Sequence, residues 1–350
     1  MKLKQQLFEK IRLEGKDIKT AKAYWAWTVR FLKFAHKKRG VWVHPKDMGR
    51  TQVEIFLTHL AVKENVAPST QNQALAGLCY LYNVVLEQPL EGVNAMRAKK
   101  PAIVRQVLDQ SEIVQLFGEL RGRSLLAAKL MYASSFRIGE IGRIRMKDIS
   151  FERCQINVQE SKHGKSRVVG FPQSLHDAVR RQMESMRVLW QHDVADGLNG
   201  VSLPYAWGKK SPSSHLDFAW WYLFSADNYS RDPVSGRLLR HHSDMANIGR
   251  NISQAAIKAG IPKRITAHCL RHSWTTHSLE GNVPIHIVQA LAGHASVETT
   301  QGYAHLRKDA ATAAPSPIDA LAQQLANPQI AIEQRRKDDN EPPRLRVYAG

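Results

Sequence analysis

One segment in the last third of the chain carries side chains suited to attack on a phosphate. It places His268 and Arg271 three residues apart, then a Gly293-His294 pair, then Tyr303 nine residues after His294. Residues three apart lie on one face of a helix, so the first pair is expected to address one anion. A tyrosine hydroxyl can act as a nucleophile, and arginine can bind two phosphate oxygens at once. The segment therefore predicts phosphoryl transfer to a tyrosine.

Two cationic side chains upstream complete this set. Arg137 lies in SSFRIGEIGRIRMKDI, where the carboxylate of Glu140, three residues later, can hold the guanidinium in place. Lys162 lies in the polar turn of QESKHGKSRVV, and Lys165 competes for the same role. Fixed cations can neutralise the charge that builds on phosphate oxygens during attack. We therefore expect a site that needs no metal ion or other cofactor.

In the order of these residues the chain resembles the tyrosine recombinases, the phage-integrase type of site-specific recombinase. Their signature is Arg…Lys…His-x-x-Arg…His…Tyr, and all six positions are filled between about Leu108 and Tyr303. The resemblance implies a 3′-phosphotyrosyl DNA intermediate, and its spacing from the first arginine selects Lys162 over Lys165. It implies that Tyr303 attacks, that His268 removes its proton, that Lys162 protonates the departing 5′ oxygen, and that Arg137, Arg271 and His294 hold the phosphate.

A second resemblance concerns the segment between Trp190 and His242, which looks like the insertion of integron integrases. Those enzymes capture and shuffle gene cassettes, and the corresponding segment grips bases extruded from a folded single strand. The run Trp220–Tyr222 supplies adjacent aromatic rings, which can stack on unpaired bases. Core packing is the alternative for such a run. By the resemblance, the residues that contact extruded bases are Trp220, Pro233, His241 and His242.

The chain departs from the family pattern near the site. Ser135 stands where a flexible glycine usually approaches the first arginine, and Ser161 and His163 replace glycines beside Lys162. Gln159 stands where a second stacking aromatic is expected. These departures predict altered local geometry and a weaker grip on one base, while every reacting group is kept.

Hydrophobic periodicity predicts mainly helices. In the first part they cover 18–39, stopped by Gly40, then 51–63 and 69–86, the last with Ser69 as N-cap. Further on, helices are expected from Asp109 or Ser111, over 124–134, over 175–190 and from Ser243 to Gly260. Two strands are expected, 154–159 and 166–171. The expected fold is mainly α with a small antiparallel β-sheet, a helical DNA-clamping domain preceding an α+β tyrosine-recombinase catalytic domain.

Changes in charge and periodicity predict the domain boundaries. We expect a helical DNA-binding domain, a linker, a catalytic domain with an insertion at about 191–242, and a tail containing a candidate helix for docking onto another protomer. Their bounds are 1–92, 93–106, 107–310 and 311–350.

Composition favours a polyanionic partner. The 350 residues carry a net charge of +19, and residues 1–100 hold 18 Lys and Arg against 8 Asp and Glu. We expect the partner to be DNA. By resemblance, this DNA includes folded single strands, and four protomers assemble on two sites. No apolar span is long enough for a bilayer and the start of the chain lacks a secretion signal, so a cytoplasmic protein is expected. The side chains predicted to follow a phosphate backbone are Lys33, Lys37, Lys38 and Arg39, with a solvated face as the alternative for each.

The cysteines and histidines bear on two further questions, disulfide bonding and metal binding. Three widely spaced cysteines, Cys79, Cys154 and Cys269, predict reduced buried thiols rather than disulfides. His268 and His272 stand four apart, as metal ligands on a helix can, and the His241-His242 pair could join them. Cys269, however, occupies the position of the glutamate in H-E-x-x-H, which argues against a metallohydrolase.

Two other classes of protein share some of these features. A DNA-binding protein without catalysis would not require the complete set of phosphate-transfer groups. Type IB topoisomerases use the same chemistry, but relaxing DNA requires no insertion of the cassette-integrase type. A recombinase of the integron integrase type is therefore the leading interpretation of the sequence.

Overall fold

The protein is described from a computed structural model, which places residues 2–92, 106–159, 166–198, 200–204, 207–232, 235–293 and 318. The chain forms two compact units, Met1–Val104 and Arg105–Gly350. Each unit buries a hydrophobic core of its own. The fold is mostly helical with small antiparallel sheets, as the sequence predicts.

All the regular secondary structure in the described residues of the first unit is helical. Aromatic side chains fill its core, with the rings of Phe31 and Phe56 5.5 Å apart in an edge arrangement. The hydroxyl of the buried Tyr82 donates to the carbonyl of Pro45 over 3.0 Å, so its polar end is satisfied. The helices are α1 (Leu3–Leu13), α2 (Ile18–Arg39), α3 (Arg50–Val62) and α4 (Pro68–Tyr80), the last continued by a π-helical turn, Leu81–Val85.

Local sequence signals explain where two of these helices begin and end. The predicted span of α2 is confirmed: the side chain of Asp17 accepts from the backbone of Lys19, and Gly40 ends the helix at φ 73°. The prediction of Ser69 as the N-cap of α4 is wrong. Pro68 is the first helical residue and Ala67 is the cap, because the fixed φ of proline suits that position. Helix α1 was not predicted.

The second unit has eight helices in its described residues and two small sheets. Helix α6 lies at its centre, contacts α11, and is buried along most of its length. The helices are α5 (Gln110–Glu119), α6 (Gly122–Ser134), α7 (Ile138–Arg143), α8 (His176–Ala195), α9 (Trp207–Lys210), α10 (Met245–Lys258), α11 (Ala267–Glu280) and α12 (Ile285–Ala292). Asp109, one of the two predicted starts, is the N-cap of α5, and Ser111 is not.

Three strands form an antiparallel meander: β1 (Ile149–Ser150), β2 (Gln155–Gln159) and β3 (Ser166–Gly170). The last pair between β2 and β3 is Gln159 with Ser166, so the turn predicted to carry Lys162 connects them, outside the described residues. Strands β4 (Ser225–Arg231) and β5 (Leu238–His242) form a hairpin within the predicted insertion. The sequence did not predict this hairpin.

Three further expectations change in detail. Helix α10 is capped by Asp244, which accepts from Ala246, and not by Ser243. All three cysteines are free, but only Cys269 is buried, whereas Cys79 and Cys154 are half-buried. Ile318, within the predicted tail, is 2 % exposed and belongs to the core of the second unit. This residue therefore packs against its own chain.

Candidate active site

Arg137 is the N-cap of α7, and Glu140 occupies the third position of that helix. One carboxylate oxygen accepts from the Arg137 backbone N–H at 2.7 Å, and the other pairs with its guanidinium at 2.8 Å. The Glu140 side chain is 2 % exposed and the Arg137 side chain 37 %. Glu140 therefore caps the helix and holds the guanidinium of an arginine whose side chain is partly exposed.

Arg271 lies in the first half of α11 and is 1 % exposed. Its guanidinium donates to the backbone carbonyls of Ser135 and Ala292. A buried arginine held by main-chain acceptors keeps one orientation, because its donors form a planar fork. The α6–α7 connection and the end of α12 are thereby tied to the same side chain.

Three arginines from different elements converge on the end of α12. Consecutive carbonyls each accept from one of them: Leu291 from Arg167 at 2.9 Å, Ala292 from Arg271, and Gly293 from Arg137 at 2.7 Å. The last carbonyls of a helix lack partners inside it and carry partial negative charge, so cations are favoured there. We call Arg137, Arg167, Arg271 and Glu140 the arginine cluster.

The arginine cluster has an excess of positive charge, because it contains three guanidiniums and one carboxylate. Burial by itself raises the pKa of Glu140, but hydrogen bonds and charge from Arg167, and then from Arg137, outweigh it and lower that pKa to about 2. Glu140 is therefore an anion at any physiological pH. An incoming phosphate would balance the remaining positive charge.

The end of α12 also sets the start of the next segment. Gly293 has φ 62° and ψ 49°, the left-handed conformation that glycine adopts without strain. A side chain added there would meet Arg167 at 3.1 Å. His294 follows directly, but His294, Tyr303 and Lys162 lie outside the described residues.

His268 is exposed in the first turn of α11, while Arg271, one turn further, is buried. The His268 ring meets that of His272 edge-on, with 4.6 Å between the ring centroids. The two predicted partners thus share a helix but differ in access to solvent. A substrate could reach the imidazole of His268 directly, whereas Arg271 is enclosed by protein carbonyls.

Ser135 has the unusual backbone expected where a glycine is replaced. Its φ is 57° and its ψ 30°, it is fully buried, and its carbonyl accepts from Arg271. Its hydroxyl finds no hydrogen-bond partner in the described part of the chain. A left-handed serine and an unsatisfied buried hydroxyl both cost stability beside the arginine cluster.

The aromatic run in the insertion divides between core and surface. Trp221 and Tyr222 are buried at 0 % and 5 % exposure, so core packing holds for these two. Trp220 is half-buried, with the ammonium of Lys147 4.4 Å from its ring centroid and the Trp207 ring 5.3 Å away. Arg145 donates to the Trp220 carbonyl at 2.5 Å. Trp220 is therefore the partly accessible ring of the three.

The histidine pair lies on β5, where adjacent side chains point to opposite faces. His241 lies 3.9 Å from Asp232, and burial lowers its pKa. The His242 ring instead meets Tyr222 edge-on, and its Nδ1 contacts the carbonyl of Ser243 at 2.8 Å. The two imidazoles therefore do not form one surface. Pro233 lies outside the described residues.

A buried ion pair fastens this hairpin to α8. Arg240 on β5 binds Asp193 through two bonds of 2.5 and 2.6 Å, and both side chains are at most 4 % exposed. The hydroxyl of Tyr229 donates to the same carboxylate. These two charge-assisted hydrogen bonds hold the hairpin in a fixed position on α8.

The lysines predicted to follow DNA are exposed on α2, but they do not lie together. Lys33 and Lys37 lie on one face, whereas Lys38 is about 100° around the helix and packs its ammonium 5.5 Å from the Phe34 ring centroid. Arg39 is the last residue of α2. The prediction from the sequence omitted the other basic residues on the face of Lys33 and Lys37, although their helical spacing identifies them. The α2 basic stripe consists of Lys19, Lys22, Arg30, Lys33 and Lys37, all exposed and within about 80° of one another.

Two negative findings apply to the described residues. No group of three or more His, Cys, Asp or Glu side chains there is arranged to hold a metal ion. No helix in that part of the chain is long and apolar enough to cross a membrane.

Comparison with known proteins matches both units to phage integrase domains. Residues 106–310 match the phage integrase family, and residues 3–92 match its N-terminal SAM-like domain. An integrase/recombinase of Escherichia coli is 37% identical over 322 residues, which cover 92% of this chain and 94% of that protein. The tyrosine recombinase XerA of Thermococcus kodakarensis is 27% identical over 310 residues, covering 85% and 89%.

Solved structures share the fold at low identity. The Tn1549 transposon integrase, solved with transposon right end DNA, matches with a TM-score of 0.54 at 16% identity, over 89% of this chain and 98% of that one. A lambda integrase tetramer bound to a Holliday junction also gives 0.54 at 16% identity, over 85% and 75%. At this identity the likeness supports the fold.

Proposed function

The chain belongs to the phage integrase family and is a tyrosine-type site-specific recombinase, and we propose that it cuts and rejoins DNA through Tyr303. The Tyr303 oxygen attacks the phosphorus, the bond to the 5′ oxygen breaks, and a 3′-phosphotyrosyl bond forms. His268 takes the phenolic proton, and Lys162 gives a proton to the departing oxygen. Attack by a 5′ hydroxyl of another strand reverses these steps, since the covalent link keeps the phosphodiester energy.

The observation that supports this proposal most is the convergence of Arg137 and Arg271 on neighbouring carbonyls at the end of α12. The two arginines stand 134 positions apart in the sequence. They meet immediately before His294, the third proposed phosphate ligand. Cations fixed before the reaction stabilise developing charge on phosphate oxygens without reorganising during it.

We propose further that cleavage needs no metal ion, because the guanidiniums of the arginine cluster supply the charge that a metal would bring. Cleavage should therefore be unchanged by EDTA. Loss of cleavage with EDTA, restored by Mg²⁺ or Zn²⁺, would favour a metal-dependent reaction.

The proposed substrate is duplex DNA, and four protomers of the protein are proposed to bind two sites as a tetramer. The α2 basic stripe supports phosphate contacts, and similar proteins have been solved with DNA, one of them as a tetramer on a four-way junction. Since its substrate is DNA, the protein is proposed to act in the cytoplasm.

The central test is Tyr303→Phe, which removes only the phenolic oxygen. The substrate is a nicked duplex, selected from a randomised pool by covalent capture on the wild-type protein. The wild type should form an adduct that survives denaturing electrophoresis, whereas Tyr303→Phe should bind the same duplex and form none. Tyr24→Phe makes the same change in the first unit and should react like the wild type. A full yield of adduct with Tyr303→Phe would exclude this tyrosine as nucleophile.

We infer in addition that the protein is an integron integrase that excises and integrates gene cassettes, including at folded single strands. The insertion supports this inference because it is fastened to α8 through Arg240 and Asp193 and presents Trp220 half-buried. An accessible ring held in a fixed place can stack on an extrahelical base. Pro233, His241 and His242 remain proposed contacts, with the two histidines on opposite faces of β5.

Substrate form tests this inference. A folded strand with extrahelical bases should bind the wild type more tightly than the same stem fully paired. Trp220→Ala should weaken the folded complex roughly ten-fold, since stacking one base is worth about 1–3 kcal/mol, and should leave the paired complex nearly unchanged. Mobility-shift titrations measure both, with Trp190→Ala as control because Trp190 is half-buried against Phe218. Equal losses on both substrates would make Trp220 a packing residue and leave the recombinase proposal intact.

A further inference from the structure

Arg167 is part of the arginine cluster but has no counterpart among the side chains that the sequence singled out. It lies on β3, and its side chain is 11 % exposed. Its guanidinium binds both oxygens of Glu140, at 3.0 and 2.8 Å, and its Nε donates to the carbonyl of Leu291 at 2.9 Å. These three contacts use the planar fork of arginine in a way that lysine cannot reproduce.

Each oxygen of Glu140 is shared between two arginines. Oε1 accepts from the guanidiniums of Arg137 and Arg167, while Oε2 accepts from the Arg137 backbone and from Arg167. The carboxylate is almost fully buried, so its rotamer depends on both partners. Arg137, by contrast, is 37 % exposed. Its orientation therefore depends on Glu140, and that of Glu140 depends on Arg167.

Arg167 also connects two proposed catalytic segments. It lies five residues after Lys162 along the chain, on the strand that leaves the Lys162 turn. At its other end it holds the last turn of α12 and packs against Gly293, the residue before His294. One side chain thus touches the supports of Arg137 and of His294.

We propose that Arg167 is a positioning residue for strand cleavage, which fixes Glu140 and the end of α12 so that Arg137 meets the phosphate in one orientation. This inference rests on the proposed function. Arg167 does not touch the DNA in this scheme, because its donors are directed at Glu140 and Leu291. Its effect on cleavage is transmitted through Arg137.

Loss of Arg167 should also be visible as a new pH dependence. Among the described residues, the ionisable groups that act on Glu140 are Arg137 and Arg167, and in the intact cluster they keep its pKa at about 2. Without Arg167, burial raises that pKa against Arg137 alone. The ratio of the Arg167→Ala cleavage rate to the wild-type rate should therefore fall as the pH is lowered through the raised pKa of Glu140, since wild-type Glu140 stays ionised and protonation of His268 slows both proteins alike.

The experiment compares Arg167→Ala and Arg167→Lys with Arg181→Ala, an exposed arginine of α8. On the captured nicked duplex, Arg167→Ala should form adduct about 100-fold more slowly in single turnover, as a misplaced catalytic group does, with DNA affinity nearly unchanged. Arg167→Lys should lose less than Arg167→Ala, since it keeps the charge but not the fork. Arg181→Ala should react like the wild type.

A double-mutant cycle separates positioning from general stability. In an Arg137→Ala background, adding Arg167→Ala should slow adduct formation by no more than about threefold, because the residue through which it acts is gone. The full 100-fold loss in that background would overturn the proposal, as would a wild-type rate for Arg167→Ala alone. If Arg167→Ala does not fold, the cycle is run with Arg167→Lys, and persistence of the full loss of that single mutant in the Arg137→Ala background would overturn the proposal. If the wild type itself forms no adduct, the proposed function fails, and this inference fails with it.

Discussion

The arginine cluster and the α2 basic stripe are both rich in positive charge, but they hold it differently. In the cluster, Arg271 is 1 % exposed and every guanidinium donates to a fixed carbonyl or carboxylate. In the stripe, Lys33 and Lys37 are exposed on a helix face. Fixed guanidiniums bind a phosphate in one orientation, whereas solvated ammonium groups attract phosphates through an electrostatic force that salt screens. We therefore propose that the cluster serves reaction rate and the stripe serves affinity.

The largest effect should come from the most buried member of the cluster. Arg271→Lys keeps the charge, but an ammonium cannot satisfy the carbonyls of Ser135 and Ala292 in the same plane. We expect adduct formation to fall by about 1,000-fold or more, and stability to fall by about 2 kcal/mol as buried acceptors lose partners. Single-turnover cleavage and thermal unfolding measure the two losses.

Arg137→Lys is the matched substitution, since Arg137 is partly exposed and the Gly293 carbonyl to which it donates belongs to a half-buried residue, whereas Ser135 and Ala292 are fully buried. It should lose about 100-fold in cleavage rate and little stability. Equal stability losses in the two variants would contradict the distinction drawn between enclosed Arg271 and accessible Arg137.

The α2 basic stripe should respond to salt rather than to chemistry. Replacing Lys33 and Lys37 together by Gln should weaken duplex binding and lower the slope of log affinity against log salt by about 1.8, which corresponds to two phosphates. The cleavage rate at saturating protein should not change. Fluorescence titrations over a range of salt concentrations provide the slope.

Lys38→Gln is the control for the stripe, because Lys38 lies on the same helix but on a different side. It should leave the slope nearly unaltered. A slope change of the same size per lysine at all three positions would show that the face of α2 does not decide which lysines reach DNA.

The smallest effect should be a gain in stability inside the cluster. Ser135→Gly relieves a left-handed serine and removes its unpartnered hydroxyl, so unfolding should cost about 1 kcal/mol more. For a unit of this size that raises the melting temperature by about 2–4 °C. Calorimetry measures the change.

Ser134→Gly is the neighbouring control. Ser134 ends α6 in helical conformation, and its hydroxyl donates to the carbonyl of Gly170 at 2.6 Å. Its replacement by glycine should therefore destabilise the protein. Stabilisation by both substitutions would show that backbone strain at Ser135 is not the cause.

Predictions from the sequence succeeded where the signal was local. Helix α2 was predicted over its full length, because its apolar periodicity is a property of the segment itself and Gly40 ends it within one turn. Details depending on neighbours in space were missed, such as the hairpin of β4 and β5. That hairpin is stabilised by Arg240, whose partner Asp193 is 47 positions away.

The sequence by itself determined the types and order of the proposed reacting groups, the charge of the partner, and the family. Tertiary structure decided which arginines lie together. The acceptors that align Arg137, Arg167 and Arg271 are main-chain carbonyls at the end of α12. Every residue has such a carbonyl, so no side-chain pattern marks these three. They come together only when strand β3, helix α11 and the start of α7 pack around one helix end.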